Sequence, residues 1–314
     1  DIKENYIKRI LKNINLNKKI KIAWDIGNGA MGAVIKEVVK NLNNSENILL
    51  NEEVDGNFPN HHPDPTEEKN LKQLREAIKF ENADLGIAFD GDGDRLGVIS
   101  NKGNLISGDL LTAFLSGGIL KKKKNQSIIL DIKASDIAIN LIEKEKGNAV
   151  ISKTGHSLIK TKLREIGSPL AGEMSGHIFF NDDWFGFDDA IYAALRCLQE
   201  IKHRDLTIER YLQNIPKSFA TPEIRIDCSD DKKFTVIEVI RNFVRKNYKE
   251  SNILEIDGIR TKSEIGWWLI RASNTQAALI ARAEGQSQKN VKLLLKEISK
   301  YLKLAGITWN FNYL

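Results

Sequence analysis

From Lys19 to Phe89 the chain alternates short apolar runs with longer amphipathic ones: Lys19 to Asp25, Ala30 to Leu42, Ile48 to Leu50, Glu67 to Phe80 and Ala83 to Phe89. Short apolar runs suit buried strands, and the longer runs, with apolar residues three and four apart, suit helices packed against them. The alternation predicts an α/β unit, because parallel strands need a crossover helix to return the chain to the same end of the sheet. After the turn at Lys102-Gly103 the pattern starts again, with a helix over Asp109 to Leu120, a strand over Ser127 to Asp131, a helix from Ser135 and a strand over Ala149 to Ile151. From Pro216 the order changes to a strand (Glu223 to Asp227), a helix (Lys232 to Val244), several strands between Ile253 and Ala283, and a last helix from Ser287 to Leu302. Strands in succession with flanking helices predict an α+β arrangement.

The expected fold class is therefore α/β: two related α/β domains, residues 1–102 and 103–215, followed by a smaller C-terminal α+β domain, residues 216–314. A chain of 314 residues with 41% hydrophobic residues is long enough to fill more than one core. No repeat with a period of about 20 to 50 residues is visible.

The 47 basic and 42 acidic residues are spread along the chain, and the one basic run, Lys121 to Lys124, reads as a solvated loop. Nucleic acid is not an expected partner. No apolar stretch approaches the roughly 20 residues of a membrane helix, and no signal peptide is visible, so no membrane partner is expected. Cys197 and Cys228 have no CxxC or Cys/His spacing near them, which fits a reducing compartment and a cytoplasmic location and gives no zinc site.

Several short motifs carry chemistry. Gly27-Asn28-Gly29-Ala30-Met31-Gly32 follows a strand and opens a helix, with Glu52 and Glu53 beyond it. This is the dinucleotide-binding pattern, and equally a tight strand-to-helix turn that only glycine fits. Asp90-Gly91-Asp92-Gly93-Asp94-Arg95 places three carboxylates at alternate positions after the apolar run Leu85 to Phe89, and such hard oxygens suit Mg²⁺ or Ca²⁺. It is not an EF-hand, since the required glycine and glutamate positions hold Arg95 and Asn101. Arg95 sets a cation beside the carboxylates, which suits phosphoryl chemistry.

Gly172-Glu173-Met174-Ser175-Gly176-His177 gathers an acceptor, a hydroxyl and an imidazole in a loop between two apolar strands, a set able to read sugar hydroxyls or to form a plain polar turn. In Thr154-Gly155-His156-Ser157, Ser157 has the character of a helix N-cap. Arg271-Ala272-Ser273-Asn274-Thr275 combines a guanidinium with small hydrogen-bonding side chains, fit for a phosphate dianion or for a turn between strands. The prolines of His61-His62-Pro63-Asp64-Pro65 indicate a rigid extended loop and not a metal site.

Together with Asp55 to Pro65, these motifs stand in the order and approximate spacing of the phosphohexomutase family, and the chain resembles that family over essentially its whole length. It is most similar to the bacterial phosphomannomutase/phosphoglucomutase branch, whose sugar loop reads Glu-Met-Ser-Gly-His; phosphoglucosamine mutases typically carry Gln where Met174 stands. The resemblance implies that the three predicted domains are the family's second, third and fourth. It implies Asp90, Asp92 and Asp94 as Mg²⁺ ligands, with Arg95 and Lys133 lining the catalytic centre and His156 an acid/base or positioning group. Glu173, Ser175 and His177 would hold sugar hydroxyls, and Arg271, Ser273, Asn274 and Thr275 the phosphate that is not transferred.

The implied reaction interconverts hexose 1-phosphate and hexose 6-phosphate through a phosphoserine, with hexose 1,6-bisphosphate as intermediate and activator. The family's serine belongs to a Thr-x-Ser-His-Asn-Pro type loop of an N-terminal domain, and nothing in residues 1 to 314 matches it. The expected partners are thus a phosphosugar and that N-terminal domain, and the segment alone is expected to be inactive. The competing readings are a phosphoglucosamine mutase, a nucleotide-dependent oxidoreductase and a catalytically silent sugar-phosphate binding fragment.

Overall fold

The computed structural model describes residues 1–309. The chain forms two compact units, one from Asp1 to Ile215 and one from Pro216 onward.

In the first unit, helix α1 (Ile2–Leu11) precedes strand β1 (Ile20–Asp25), helix α2 (Gly32–Lys40), strand β2 (Ser45–Leu50), helix α3 (Lys72–Glu81) and strands β3 (Leu85–Phe89), β4 (Leu96–Ser100) and β5 (Leu105–Ile106). The sheet order is β2-β1-β3-β4-β5; β2, β1 and β3 run parallel, and β4 and β5 antiparallel. β3 and β4 are buried at every residue, the mark of strands covered on both faces. Alternate residues serve different layers. Ile22, Trp24, Ile87 and Phe89 join the main core, and Ala23 and Ala88 pack with Leu74 and Ile78 of α3.

A second sheet follows. Helix α4 (Gly108–Lys122) leads to strand β6 (Ser127–Asp131), helix α5 (Asp136–Lys144), strand β7 (Asn148–Ser152), helix α6 (His156–Ile166), strands β8 (Leu170–Gly172) and β9 (Ile178–Phe180), and helices α7 (Ala190–Arg204) and α8 (Ile208–Asn214). Its order is β7-β6-β8-β9, with β9 antiparallel. The first four strands of each sheet thus share one scheme: second, first, third, then an antiparallel fourth. α4 is apolar on all sides and almost wholly buried, as a helix inside a core must be. Its Phe114 and Leu115 share one core with Trp24 and Val98 of the first sheet, Ile128 and Leu130 of the second, and Leu195 and Leu198 of α7. The turn at Lys102-Gly103 is the β4–β5 hairpin of the first sheet. Lys121 and Lys122, expected in a loop, close the last turn of α4, where cations complement the helix C-terminus.

In the second unit, strands β10 (Phe219–Ala220) and β11 (Ile224–Asp227) both pair with β15, and helix α9 (Asp230–Asn247) precedes strands β12 (Ile253–Leu254), β13 (Ile259–Ser263), β14 (Gly266–Ala272) and β15 (Ala278–Gly285) and helix α10 (Gln288–Leu304). Every pairing in this sheet is antiparallel. Trp268, Ile270, Leu279, Ala281 and Ala283 alternate along their strands to face Ile240 and Val244 of α9 and Leu294, Leu295 and Ile298 of α10.

The two sheets of the first unit are clamped where the β8–β9 loop meets β4: Leu96 N–H donates to Gly176 O at 3.0 Å, and Arg95 and His177 form an antiparallel bridge. Gly176 has φ +98°, and a Cβ there would lie 2.7 Å from the carbonyl oxygen of Leu96. Gly176→Ala is therefore expected to destabilise this unit by about 2–3 kcal/mol, the combined cost of a disfavoured φ and forced backbone movement. Urea unfolding checks it; a midpoint equal to that of the parent chain would show that the clamp yields freely.

Candidate active site

The site grows from the carboxyl ends of the parallel strands, where the chain leaves each sheet at the point at which strand order reverses. At the end of β3 the loop Asp90 to Arg95 folds back on itself. Asp90 Oδ1 accepts from the backbone N–H groups of Gly93, Asp94 and Arg95 at 3.1, 3.1 and 3.0 Å. The tight return is possible because Gly93 sits at φ +80°. One oxygen from each of Asp90, Asp92 and Asp94 then falls within 4.8 Å of the others. Burial pushes the Asp90 carboxyl up to about 7, with the neighbouring carboxylates adding to the shift. Arg95 Nε, 3.5 Å from Asp90 Oδ2, and Arg95 Nη1, 3.7 Å from Asp64, balance this negative charge only in part. Three hard oxygens with an excess of negative charge fit a small divalent cation such as Mg²⁺.

The β8–β9 loop brings the second group. His177 Nε2 lies 3.3 Å from Asp94 Oδ1, and its Nδ1 lies 3.0 Å from both Glu173 Oε2 and Ser175 Oγ. Burial opposes the charge on His177, yet Asp94 and Glu173 on either side raise its pKa to about 9, so the ring is an imidazolium at neutral pH. Burial likewise opposes charge on Glu173, but His177 and the Gly155 N–H, which donates to Glu173 Oε1 at 2.7 Å, hold its carboxyl below the ordinary range. Asp94 is lowered chiefly by its bond to His177. Asp94, His177 and Glu173 thus form one continuous chain of charge from the first sheet's loop to the second's.

At the end of β6, the fully buried Asp131 accepts from Met174 N–H at 3.2 Å and from the Thr154 hydroxyl at 3.1 Å, with Lys133 Nζ 3.6 Å away. Its burial pushes the carboxyl up to about 6 despite that lysine. Next in this arc comes His156, stacked on His177 with ring centres 5.9 Å apart and planes inclined by 20°. Ser157 is not the N-cap that its type led us to expect. The helix α6 starts one residue earlier, at His156, because Gly155 adopts φ +127° and takes the cap position. Ser135, by contrast, does cap α5, accepting from Ile137 N–H.

Two participants escaped the sequence reading. Asp188, just before α7, brings its carboxylate within 4.8 Å of donor atoms on Asp94 and His177. Lys160, one turn along α6 from His156, pairs with Asp188 at 2.9 Å. The Gly27 to Gly32 turn packs against the metal-type loop, Ala30 N–H donating to Gly91 O at 2.8 Å. His61 pairs with the buried Asp25 at 3.0 Å, and that contact raises its pKa.

In the second unit Arg271, next to last in β14, is nearly buried, its Nε donating to Asp257 Oδ2 at 3.0 Å while its Nη2, also buried, has no hydrogen-bond partner. Ser273 Oγ accepts from Thr275 and Gln276 N–H at 3.4 and 3.2 Å, and Asn274 and Thr275 are exposed. Lys233 of α9, which no motif signalled, donates to the carbonyls of Ser273 and Gln276 at 2.8 and 3.1 Å and so props the loop from behind.

Comparison with known proteins accounts for nearly the whole chain. Residues 4–103 match phosphoglucomutase/phosphomannomutase alpha/beta/alpha domain II, residues 107–219 match its alpha/beta/alpha domain III, and residues 223–300 match its C-terminal domain. A phosphomannomutase/phosphoglucomutase of Pseudomonas putida is 42% identical over 93% of the chain, and a phosphoglucomutase of Neisseria gonorrhoeae 40% identical over 93%. The chain spans 62 and 63% of those relatives' own lengths. A crystal structure of a phosphoglucomutase/phosphomannomutase family protein from Burkholderia thailandensis superposes on the whole chain with a TM-score of 0.91 and 34% identity, the match covering 66% of that protein. With its three domains in the family's order, the chain belongs to the phosphoglucomutase/phosphomannomutase family.

Proposed function

We propose that the chain holds the metal and the sugar in an Mg²⁺-dependent phosphohexomutase that interconverts hexose 1-phosphate and hexose 6-phosphate, with mannose or glucose as the sugar. The observation that carries this reading is the Asp94–His177–Glu173 chain, which joins a cation-binding type of loop to a hydroxyl-reading type of loop at one strand-end crevice. Asp90, Asp92 and Asp94 would hold Mg²⁺, which when bound would draw negative charge from the phosphoryl group. Arg95 would neutralise that group from the other side. Glu173 would accept from sugar hydroxyls and Ser175 would donate to them, with His177 fixing both loops through its bonds to Asp94 and Glu173, and Lys133 and His156 would complete the polar wall of the site. In the second unit, Arg271 would grip the non-transferred phosphate through its unpartnered Nη2, assisted by Ser273, Asn274 and Thr275. The reaction needs a phosphoserine, supplied from outside these 314 residues, and passes through hexose 1,6-bisphosphate. Three domains of the family's order, in a cytoplasmic protein of carbohydrate metabolism, form the frame of this reading.

Two measurements test it. Calorimetric titration of the chain with Mg²⁺ is expected to show competition between metal and protons at Asp90. That carboxyl is raised to about 7, so affinity should fall on the order of tenfold per pH unit below about 7 and level off above it. Asp92→Asn should weaken Mg²⁺ binding by about 1.5–3 kcal/mol, roughly 10- to 100-fold. Equal affinity in parent and variant would remove Asp92 from the metal site.

For the reaction, fusing the N-terminal third of the Pseudomonas putida relative ahead of Asp1 should give a protein that converts glucose 1-phosphate to glucose 6-phosphate, while the segment alone does not. In the fusion, Arg271→Ala should raise KM for both isomers on the order of tenfold or more, because each presents its unreactive phosphate to the same guanidinium. An Arg271→Ala fusion with unchanged kinetics on both sugars would return the loop to a plain polar turn.

A further inference from the structure

His156 is held from both sides before any ligand arrives. Its backbone follows Gly155, whose φ of +127° and N–H bond to Glu173 Oε1 fix the start of α6. One face of its ring lies on His177. The Nδ1 edge meets two groups of opposite character: Lys160 Nζ at 3.3 Å and Asp188 Oδ2 at 3.5 Å. Lys160 is itself locked to Asp188 Oδ1 at 2.9 Å.

Lys160 and His156 are one turn apart on a helix, and a contact between such residues is ordinary. Asp188 makes this one unusual, because it arrives from a separate segment whose backbone bridges to Phe179 of β9, and its carboxylate is only 6% exposed. Asp188 Oδ2 is buried with no hydrogen-bond partner, an acceptor still to be filled. The His156 side chain, by contrast, is 53% exposed, so the Nε2 edge is the one left to a ligand.

We propose that Lys160 and Asp188 are a positioning pair that sets which nitrogen of His156 carries the proton whenever the ring holds only one, presenting Nε2 to the sugar phosphate as the donor. An ammonium has only donors, so its hydrogen bond to Nδ1 uses the lone pair there and leaves the single proton on Nε2. A carboxylate only accepts. If Nδ1 gains a proton, Asp188 Oδ2 receives it, and the ring keeps its orientation in both states. The His177 ring lies against the stacked face of His156. The inference rests on the proposed function for what Nε2 addresses; the state of the ring does not depend on it.

Nitrogen NMR of the 314-residue chain labelled with ¹⁵N-histidine decides the matter without substrate or metal. Among the five histidines, the His156 signals are those lost in His156→Gln. At a pH where this ring is neutral, the parent chain should show the Nε2–H tautomer in an excess on the order of tenfold. In Lys160→Met, Asp188 becomes the sole partner of Nδ1 and the ratio should reverse toward Nδ1–H. Lys160→Arg should keep the parental ratio, and Lys160→Met/Asp188→Asn should give that of a histidine side chain in water. A parent chain mainly in the Nδ1–H form, or a Lys160→Met ratio equal to the parent's, overturns the proposal. Should the double variant fail to fold, Lys160→Met alone decides, since that side chain is a quarter exposed and leaves no buried gap. Loss of sugar-phosphate binding with the expected spectrum would count against the function and not against this pair.

Discussion

The buried imidazolium of His177, held between Asp94 and Glu173, is the interaction on which the rest of the first unit's site depends. Burying His177 and Glu173 as charges is costly, and the arrangement is tolerable because each charge is matched within 3.3 Å and Glu173 also accepts a backbone N–H. Removing His177 leaves Glu173 buried without its charge partner, a loss of about 3–5 kcal/mol in comparable pairs. The sign of its pH dependence follows from the raised His177 pKa. The stabilisation is complete below the ordinary histidine value of about 6.5 and disappears as pH rises through about 9. The same bonds also aim the loops. Asp94 touches both His177 and the Asp90–Asp92 cluster, so the metal-type cluster and the hydroxyl-reading cluster share one carboxylate.

That seam exists because one topology occurs twice. In each sheet the first strand ends in a buried aspartate, Asp25 after β1 and Asp131 after β6, and the loop between the third strand and its antiparallel neighbour carries the polar motif. The two aspartates are used differently. Asp25 is consumed by His61, Asn51 and the Gly27 N–H, a structural knot that ties the proline-rich loop to the sheet. Asp131 reaches Lys133, Thr154 and the backbone of the sugar-type loop, and so stands inside the site. Burial of Asp131 raises its carboxyl to about 6, a value still compatible with an anion at neutral pH.

The alternating pattern made the sheets legible from sequence. Ser127–Asp131 is found as expected, because an apolar run bounded by polar residues has few other places to go. The polar motifs were legible as clusters of residue types. What sequence could not show was which of them meet. Asp188 and Lys160 are 28 residues apart, and their meeting depends on the Phe179–Asp188 bridge, a tertiary event with no local signal. α7 was readable in principle, since Asp189 caps it by accepting from Tyr192 N–H and Ile191, Leu195 and Leu198 recur at helical spacing. Ser157 misled for a physical reason: its side chain favours a cap, but the glycine two places before it reached a φ that only the fold demands, and the Glu173 carboxylate rewarded it.

The Gly27 to Gly32 turn shows how one local requirement serves unrelated ends. A dinucleotide site and this turn both need backbone to approach closely, so both select glycine at the same spacing. They differ in what the N–H groups do. A phosphate cradle must leave them free to point at the ligand. Here Gly27 N–H donates to Asp25, Asn28 N–H to Asn51 O, Gly29 N–H to Ile26 O and Ala30 N–H to Gly91 O. A Cβ on Gly29 would strike Gly91 O at 2.8 Å, and one on Gly32 would strike Glu52 O at 2.2 Å. The close approach is to the protein's own metal-type loop and to the segment after β2, and the donors a pyrophosphate would need are already spent. The dinucleotide reading fails on that accounting, and the turn becomes a buttress: Met31, against which a side chain at Gly93 would collide at 2.4 Å, and the Ala30–Gly91 bond together hold the Asp90 to Arg95 loop in the shape that brings its three carboxylates together.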